Sequence, residues 1–237
     1  MRRGRRHEGR PRTPLDLGWP GTTEYTELAQ TWSKDAVEKM LTAVWCGYDT
    51  LAAEVLAQID ITEADEELER TITQLLEPHI RRHLSGVEPY YIQHSPYEFA
   101  TRLPAPAQPP QYDIAFVLYR NPRVMWPLEA KLLRSDGAVA AYVWDVQNEF
   151  LTGRYAPYAS SGAMLGYLLH GSPERAFDHI EKAIACRLGS YATFSTYRHR
   201  ISDHFRNLTR ADFVSGLFQC HHLIMEMGHV TQATLSS

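Results

Sequence analysis

Cysteine is scarce in this sequence: 237 residues hold three, Cys46, Cys186 and Cys220, far apart and without a C-x-x-C pair. That excludes a disulfide framework and suits a reducing compartment, so a cytoplasmic location is expected. Long apolar runs are missing too. The longest candidate, "GAMLGYLL" (162–169), falls far short of the ~20 residues needed to cross a bilayer, and no membrane partner is expected. The Arg-rich start has no apolar segment behind it, which argues against a secretory signal. No P-loop and no G-x-G-x-x-G pattern appears, so neither ATP nor dinucleotide chemistry is implied. Ser160 and Ser161 in "ASSGA" do not form a G-x-S-x-G nucleophile elbow.

Positive charge is in the minority, with 24 Lys and Arg against 28 Asp and Glu and a formal net charge of −4. It is also unevenly spread. Residues 1–16 hold six arginines (Arg2, Arg3, Arg5, Arg6, Arg10, Arg12) against Glu8 and Asp16, hence +4, which leaves −8 for the remainder. A basic arm on an acidic body can hook nucleic acid electrostatically, or can stay a solvated, disordered tail. The acidic body needs metal ions, a local basic groove or a partner before it can grip a phosphate backbone.

What is present is the composition of an ordinary globular protein, 44% hydrophobic and 22% charged. The chain divides into an arm (1–20), an N-terminal helical region (21–61) and a main domain (62–237). Helical spacing over 23–58 predicts two helices. "TEADEELERTITQLLEPHIRRHL" (62–84) predicts another, with Thr62 as N-cap, acids in the first turn and an apolar face of Leu68, Ile72, Leu75, Leu76 and Ile80. Strand patterns follow at 87–95, 111–119 and 124–133. A helix is predicted at 139–151, a strand at 160–170, and a helix at 172–188 capped by Ser172 with Pro173 at its first position. One or two late strands come from "TFSTYRHR" and "VSGLFQCHHLIMEM". The proline-rich 102–111 reads as a stiff surface connection. This order implies an α/β domain, a sheet with helices on both faces.

Charge inside the apolar stretch "QYDIAFVLYRNPRVMWPLEAKLL" (111–133) carries the chemistry. Residues two apart on a strand share a face, so Glu129 and Lys131 point together and Ala130 points away. The turn "RNPR" folds the second strand back on the first and can set Asp113 beside Glu129. Two carboxylates that close repel, and a hard divalent cation relieves the repulsion. Asp113, Glu129 and the Ala130 carbonyl are the candidate ligands, with Lys131 in reach of a water or a phosphate. The structural alternative is a buried ion pair of Lys131 with Glu129 or Asp113.

Asp113 followed by Glu129–Ala130–Lys131 resembles the active site of the PD-(D/E)XK, or restriction endonuclease-like, nuclease superfamily. Helix 139–151 and strand 160–170 stand where that family has its next core elements. Gln147, with Tyr155 further on, is similar to its accessory glutamine–tyrosine feature. Tyr112 stands in place of the proline of the family name. The resemblance covers about residues 62–170. It implies a central mixed sheet flanked by helices, hydrolysis of DNA (with RNA open), Mg²⁺ or Mn²⁺ as cofactor, and a setting in prokaryotic defence against foreign DNA. It also implies an assisting acid from the first core helix. Glu69, at the edge of the apolar face, takes that role ahead of Glu66 and Glu67. A homodimer or a place in a defence complex is expected, because so small a nuclease has little surface for reading bases. The alternative is a catalytically inactive nuclease-fold subunit for nucleic-acid binding or assembly.

Two further clusters stand out. "CHHLIMEMGH" (220–229) holds Cys220, His221, His222 and His229, but its spacing fits no tetrahedral zinc site; a buried cysteine beside half-exposed histidines is expected. "YRHRISDHFR" (197–206) is either a phosphate-contacting segment or a polar edge strand.

Overall fold

The computed structural model describes residues 32–102, 109–209 and 213–227. The basic arm, the proline run at 103–108 and His229 lie outside the described residues. Helix α1 (Lys34–Glu54) begins at Ser33, whose hydroxyl accepts the Ala36 N–H at 3.3 Å. It runs unbroken into a short 3₁₀ turn (Leu56–Gln58), where two helices were expected. Gly47 does not interrupt it, because the absent side chain lets α2 come close: a Cβ here would lie 2.7 Å from Ile80 N. Helix α2 (Asp65–Arg82) buries Leu68, Ile72, Leu76 and Ile80 at helical spacing. Its N-cap is Ala64, not Thr62. Thr62 instead gives both its N–H (2.9 Å) and its hydroxyl (2.7 Å) to Asp60 Oδ1 in a local turn that competes with capping.

Seven strands form one mixed sheet in the order β1-β2-β3-β4-β7-β6-β5. They are β1 (Tyr90–His94), β2 (Ile114–Leu118), β3 (Met125–Leu133), β4 (Ser161–Leu168), β5 (Gly189–Ser190), β6 (His199–Arg206) and β7 (Gly216–Glu226). The central trio β3, β4 and β7 is parallel, and the outer pairs are antiparallel. Strands β2 and β4 are buried at every position, which explains their unbroken apolar runs: both faces are covered. Helix α2 meets one face, where Thr73 and Tyr167 hydroxyls lie 3.1 Å apart. Helix α3 (Ala140–Asp145) covers the other through Tyr142, whose hydroxyl lies 2.9 Å from His222 Nδ1 on β7. Helix α4 (Pro173–Ile184) starts as predicted, with Ser172 as cap and Pro173 inside the first turn. The described residues thus form an α/β fold with helices on both faces of a seven-stranded mixed sheet.

Helix α3 widens into a π-helical turn over Val146–Phe150. This turn ends on β4 at Gly162, where a Cβ would meet the Phe150 ring at 2.5 Å. Only glycine leaves that seat open, and the seat fixes Glu149 above the sheet.

Candidate functional site

The site forms where β2 stops and β3 continues. Ile114 pairs with Leu128, so the register sets Asp113 opposite Glu129, one step beyond the last β2 pair. Beyond that step β3 has lost its antiparallel neighbour, and its free backbone N–H groups need other acceptors. Carboxylates supply them. Asp113 Oδ2 accepts the Ala130 N–H at 2.7 Å, and Glu69 Oε2, reaching across from α2, accepts the Leu132 N–H at 2.7 Å. Helix α2 is held in place for this by Arg134, just past β3. Its guanidinium bonds Asp65 at 2.6 Å and the Ile61 carbonyl at 2.8 Å.

Lys131 is the hub. Its Nζ lies 2.8 Å from the Ala130 carbonyl, 3.1 Å from Glu129 Oε1, 3.0 Å from Asp145 Oδ2 and 3.5 Å from Glu69 Oε1. Glu129 and Asp145 are almost wholly buried, with side chains 7% and 9% exposed, while Lys131 keeps 19% and Glu69 23%. One ammonium therefore faces four carboxylates, counting Asp113. Fully ionised, that set sums to −3, so the site attracts protons or cations.

The titration behaviour follows. Burial pushes the Glu129 carboxyl well above the usual range, and the Asp113 charge adds to it while Lys131 opposes. Burial likewise raises Glu69 and Asp145 against the pull of Lys131. Burial alone would lower Lys131. The charges of Glu129, Glu69, Asp113 and Asp145 outweigh it and hold the amine protonated. One buried oxygen of Glu129, Oε2, has no hydrogen-bond partner, nor has Glu149 Oε2. The Glu149 carboxylate is otherwise paired with Arg154.

Asp113, Glu129, Ala130, Lys131 and Glu69 thus converge as the sequence predicts. Gln147 does not join them. It is exposed on the π-helical turn, while Asp145 and Glu149, four apart, take the inward positions. Those two acids were missed, although a legible signal existed: acids at i and i+4 beside the buried Val146 and Phe150. Tyr155 is near the site but turned to its rim, its hydroxyl donating to the Gln111 carbonyl at 3.0 Å. Its phenol is raised by burial and then by Glu129 and Glu149.

Unpartnered carboxylate oxygens and an inward carbonyl are donors of the kind a hard divalent cation takes. The spacing is another matter. Among the described residues no three His, Cys, Asp or Glu side chains stand as a set that could hold a metal ion, and it is the Lys131 ammonium that lies amid these oxygens.

The two weaker clusters resolve into structure. His221 and His222 are buried, at 1% and 0% exposure, not half-exposed, because β7 is paired on both sides and covered on both faces. They point oppositely. His221 Nδ1 lies 3.1 Å from His199 Nε2, and His222 sits between Tyr142 (2.9 Å) and Ser202 (2.8 Å). On β6, Arg206 is a buried staple rather than a surface cation, at 1% exposure. It donates to the carbonyls of Phe150 (3.3 Å), Ala156 (3.2 Å), Ala159 (2.6 Å) and Val214 (2.9 Å), stacked 4.1 Å from the centre of the Phe218 ring.

No protein-family model, curated protein or solved structure matches this chain.

Proposed function

We propose that this protein is a metal-dependent nuclease of the restriction endonuclease-like type that hydrolyses phosphodiester bonds in DNA. The observation that carries the reading is the convergence of Asp113, Glu129, Lys131 and Glu69 at the end of β3 that keeps β4 but has no β2 beside it. A site with this excess of buried negative charge is unstable as plain structure and becomes useful once it takes up a cation. Asp113, Glu129 and the Ala130 carbonyl would hold Mg²⁺ or Mn²⁺, for which Lys131 must release that carbonyl. Such an ion, when bound, would supply Lewis acidity toward a phosphate oxygen. Lys131, kept charged by its acids, opposes the negative charge that develops on phosphorus. Glu69, raised by burial and the more exposed of the acids around Lys131, would accept a proton from the attacking water. As the P–O bond to the leaving oxygen breaks, that oxygen must gain a proton, which a solvent molecule provides at this open edge.

The second reading is a catalytically inactive nuclease-fold subunit serving nucleic-acid binding or complex assembly. The bond from Lys131 to the Ala130 carbonyl favours it, since the lysine then serves as a permanent tethered cation. The defence setting and the homodimer or partner complex rest on the family resemblance, and the cytoplasmic location rests on the sparse, unpaired cysteines. One experiment separates the two readings. Labelled DNA is incubated with the protein and Mg²⁺ or Mn²⁺, with and without chelator, while Mn²⁺ binding is followed by calorimetry. Metal-dependent cleavage abolished by Glu129→Ala supports the nuclease. Absence of both cleavage and metal binding supports the inactive subunit.

A further inference from the structure

Beside the acidic cluster, two aromatic rings stand in solvent. Tyr97 is 41% exposed and Phe99 57% exposed, with ring centroids 6.1 Å apart and planes inclined at 54°. Large exposed aromatics on a short segment call for a reason, since burial would stabilise each. The segment is not loose. Ser95, at φ +54°, turns the chain sharply out of β1, and its N–H donates to the Asp113 carbonyl at 2.9 Å. Tyr97 bridges to Gln111, the Glu98 N–H bonds the Pro110 carbonyl at 2.7 Å, and the buried Glu98 carboxylate accepts the Tyr112 hydroxyl at 2.9 Å. The hydroxyl of Thr101 ties the far end to the Arg154 carbonyl at 2.7 Å. Only Tyr112 separates Gln111 from Asp113, at most about 7 Å of chain.

Between this segment and the sheet lies a pocket of about 550 Å³, lined among others by Gln93, Ser95, Tyr97, Phe99, Arg123 and Met125. That is the size range of small-molecule sites. Met125 and Glu129 are four apart on β3, so they share a face and stand about 13 Å from each other along the strand. The pocket therefore opens on the sheet face that carries the acidic cluster. It combines aromatic faces, hydrogen-bonding groups in Gln93 and Ser95, one guanidinium, and the Glu98 carboxylate, whose oxygens are taken up by the Tyr112 hydroxyl and the Ala100 N–H. That set suits a flat base attached to a phosphate. It does not suit a duplex, whose bases are stacked inward and whose phosphates meet a −8 body here with few cations.

We propose that Tyr97 and Phe99 form a stacking subsite for unpaired nucleobases and that Arg123 takes an adjoining phosphate. The strand that reaches the acidic cluster is then single-stranded or locally opened. This inference rests on the nuclease reading for its purpose, but its test does not need cleavage.

Fluorescence polarisation of labelled oligothymidylate, oligouridylate and a hairpin duplex is measured with the full chain in chelator, where no hydrolysis competes. One or both unpaired strands bind more tightly than the duplex. The double variant Tyr97→Ala/Phe99→Ala lowers that affinity at least about tenfold, the scale of lost base stacking, and leaves duplex binding unchanged. Tyr97→Phe/Phe99→Tyr, which keeps both rings, retains it. Both pairs are exposed, so the fold survives, and circular dichroism confirms this. Duplex bound as tightly as either unpaired strand overturns the proposal, as does unpaired-strand binding indifferent to the alanines. Ring-dependent binding of an unpaired strand without metal-dependent cleavage keeps this subsite and overturns only the hydrolytic reading.

Discussion

Asp113 and Ala130 are joined by a single hydrogen bond of 2.7 Å from the backbone of one strand to the side chain at the start of its neighbour. That bond turns a sheet defect into a site. Strand β2 begins one residue late, at Ile114, and the acid just before it substitutes for the missing ladder partner.

Glu129→Gln is expected to remove cleavage and yet stabilise the fold. The raised Glu129 carboxyl resists ionisation, so a neutral amide of the same shape relieves the cluster. The gain expected at neutral pH is roughly 1 kcal/mol, the usual size of a stability–activity trade. Urea denaturation of the two proteins measures it, and an unchanged or lower midpoint would contradict the charge excess.

Lys131→Met acts the other way. It leaves buried acids without their counter-charge, a loss of about 3 kcal/mol at neutral pH. The deficit shrinks toward pH 4.5, as the carboxyls take up protons. Denaturation midpoints at pH 7 and pH 5 test this through the difference between them. Lys131→Arg is not expected to restore cleavage, because a planar guanidinium does not replace a compact ammonium.

Acid lability has a separate source. Burial lowers His199 to about 2 and His221 and His222 to about 3, against an ordinary value near 6.5. Since the folded values are depressed, the unfolded chain binds protons that the native chain refuses. Stability is intact above pH 6.5 and is lost as pH falls from there toward 3, by up to about 1.4 kcal/mol per pH unit for each histidine. The raised acids act in the opposite sense, favouring the native state at low pH, so the net slope is smaller. His221→Gln removes one titrating group, and its stability should fall less steeply between pH 6.5 and 4.

Arg206 supports the site from behind. Its four carbonyl partners include Phe150, at the end of the π-helical turn that carries Glu149. Arg206→Leu leaves those buried carbonyls unmet, and a loss of about 3 kcal/mol or more is expected. Limited proteolysis should then cut first within residues 150–160.

Gln147→Ala is expected to leave cleavage unchanged, because that side chain is exposed. Asp145→Asn, 3.0 Å from the Lys131 ammonium, should shift the pH profile of any metal-dependent activity. Equal effects of the two substitutions would contradict the geometry of α3.

Much of this was legible in one dimension. Period-two alternation placed Glu129 and Lys131 on one face of a strand, and the "RNPR" turn brought Asp113 opposite, because pairing across a hairpin is set locally. Leu68, Ile72, Leu76 and Ile80 fixed the buried side of α2 and with it the position of Glu69 at its edge. The cap of α4 was equally local, resting on Ser172 and Pro173.

What stayed hidden depended on contacts distant in sequence. Asp145 joins the site because the π-helical turn seats Phe150 on Gly162, a fit that helical spacing alone does not contain. His221 and His222 look like half-exposed strand residues until the sheet order β4-β7-β6 buries them from both sides. Arg206 looks like a surface cation until segment 150–160 folds over it and offers three carbonyls, with Val214 supplying a fourth. Local chemistry determined the strands as far as β4, the helix faces and the first three charged residues of the site. The strand expected at 193–200, by contrast, is mostly a 3₁₀ turn (Ala192–Phe194) and loop, with β6 starting only at His199. Only tertiary packing decided how many acids share one lysine, since that number depends on which layers meet above the end of β3.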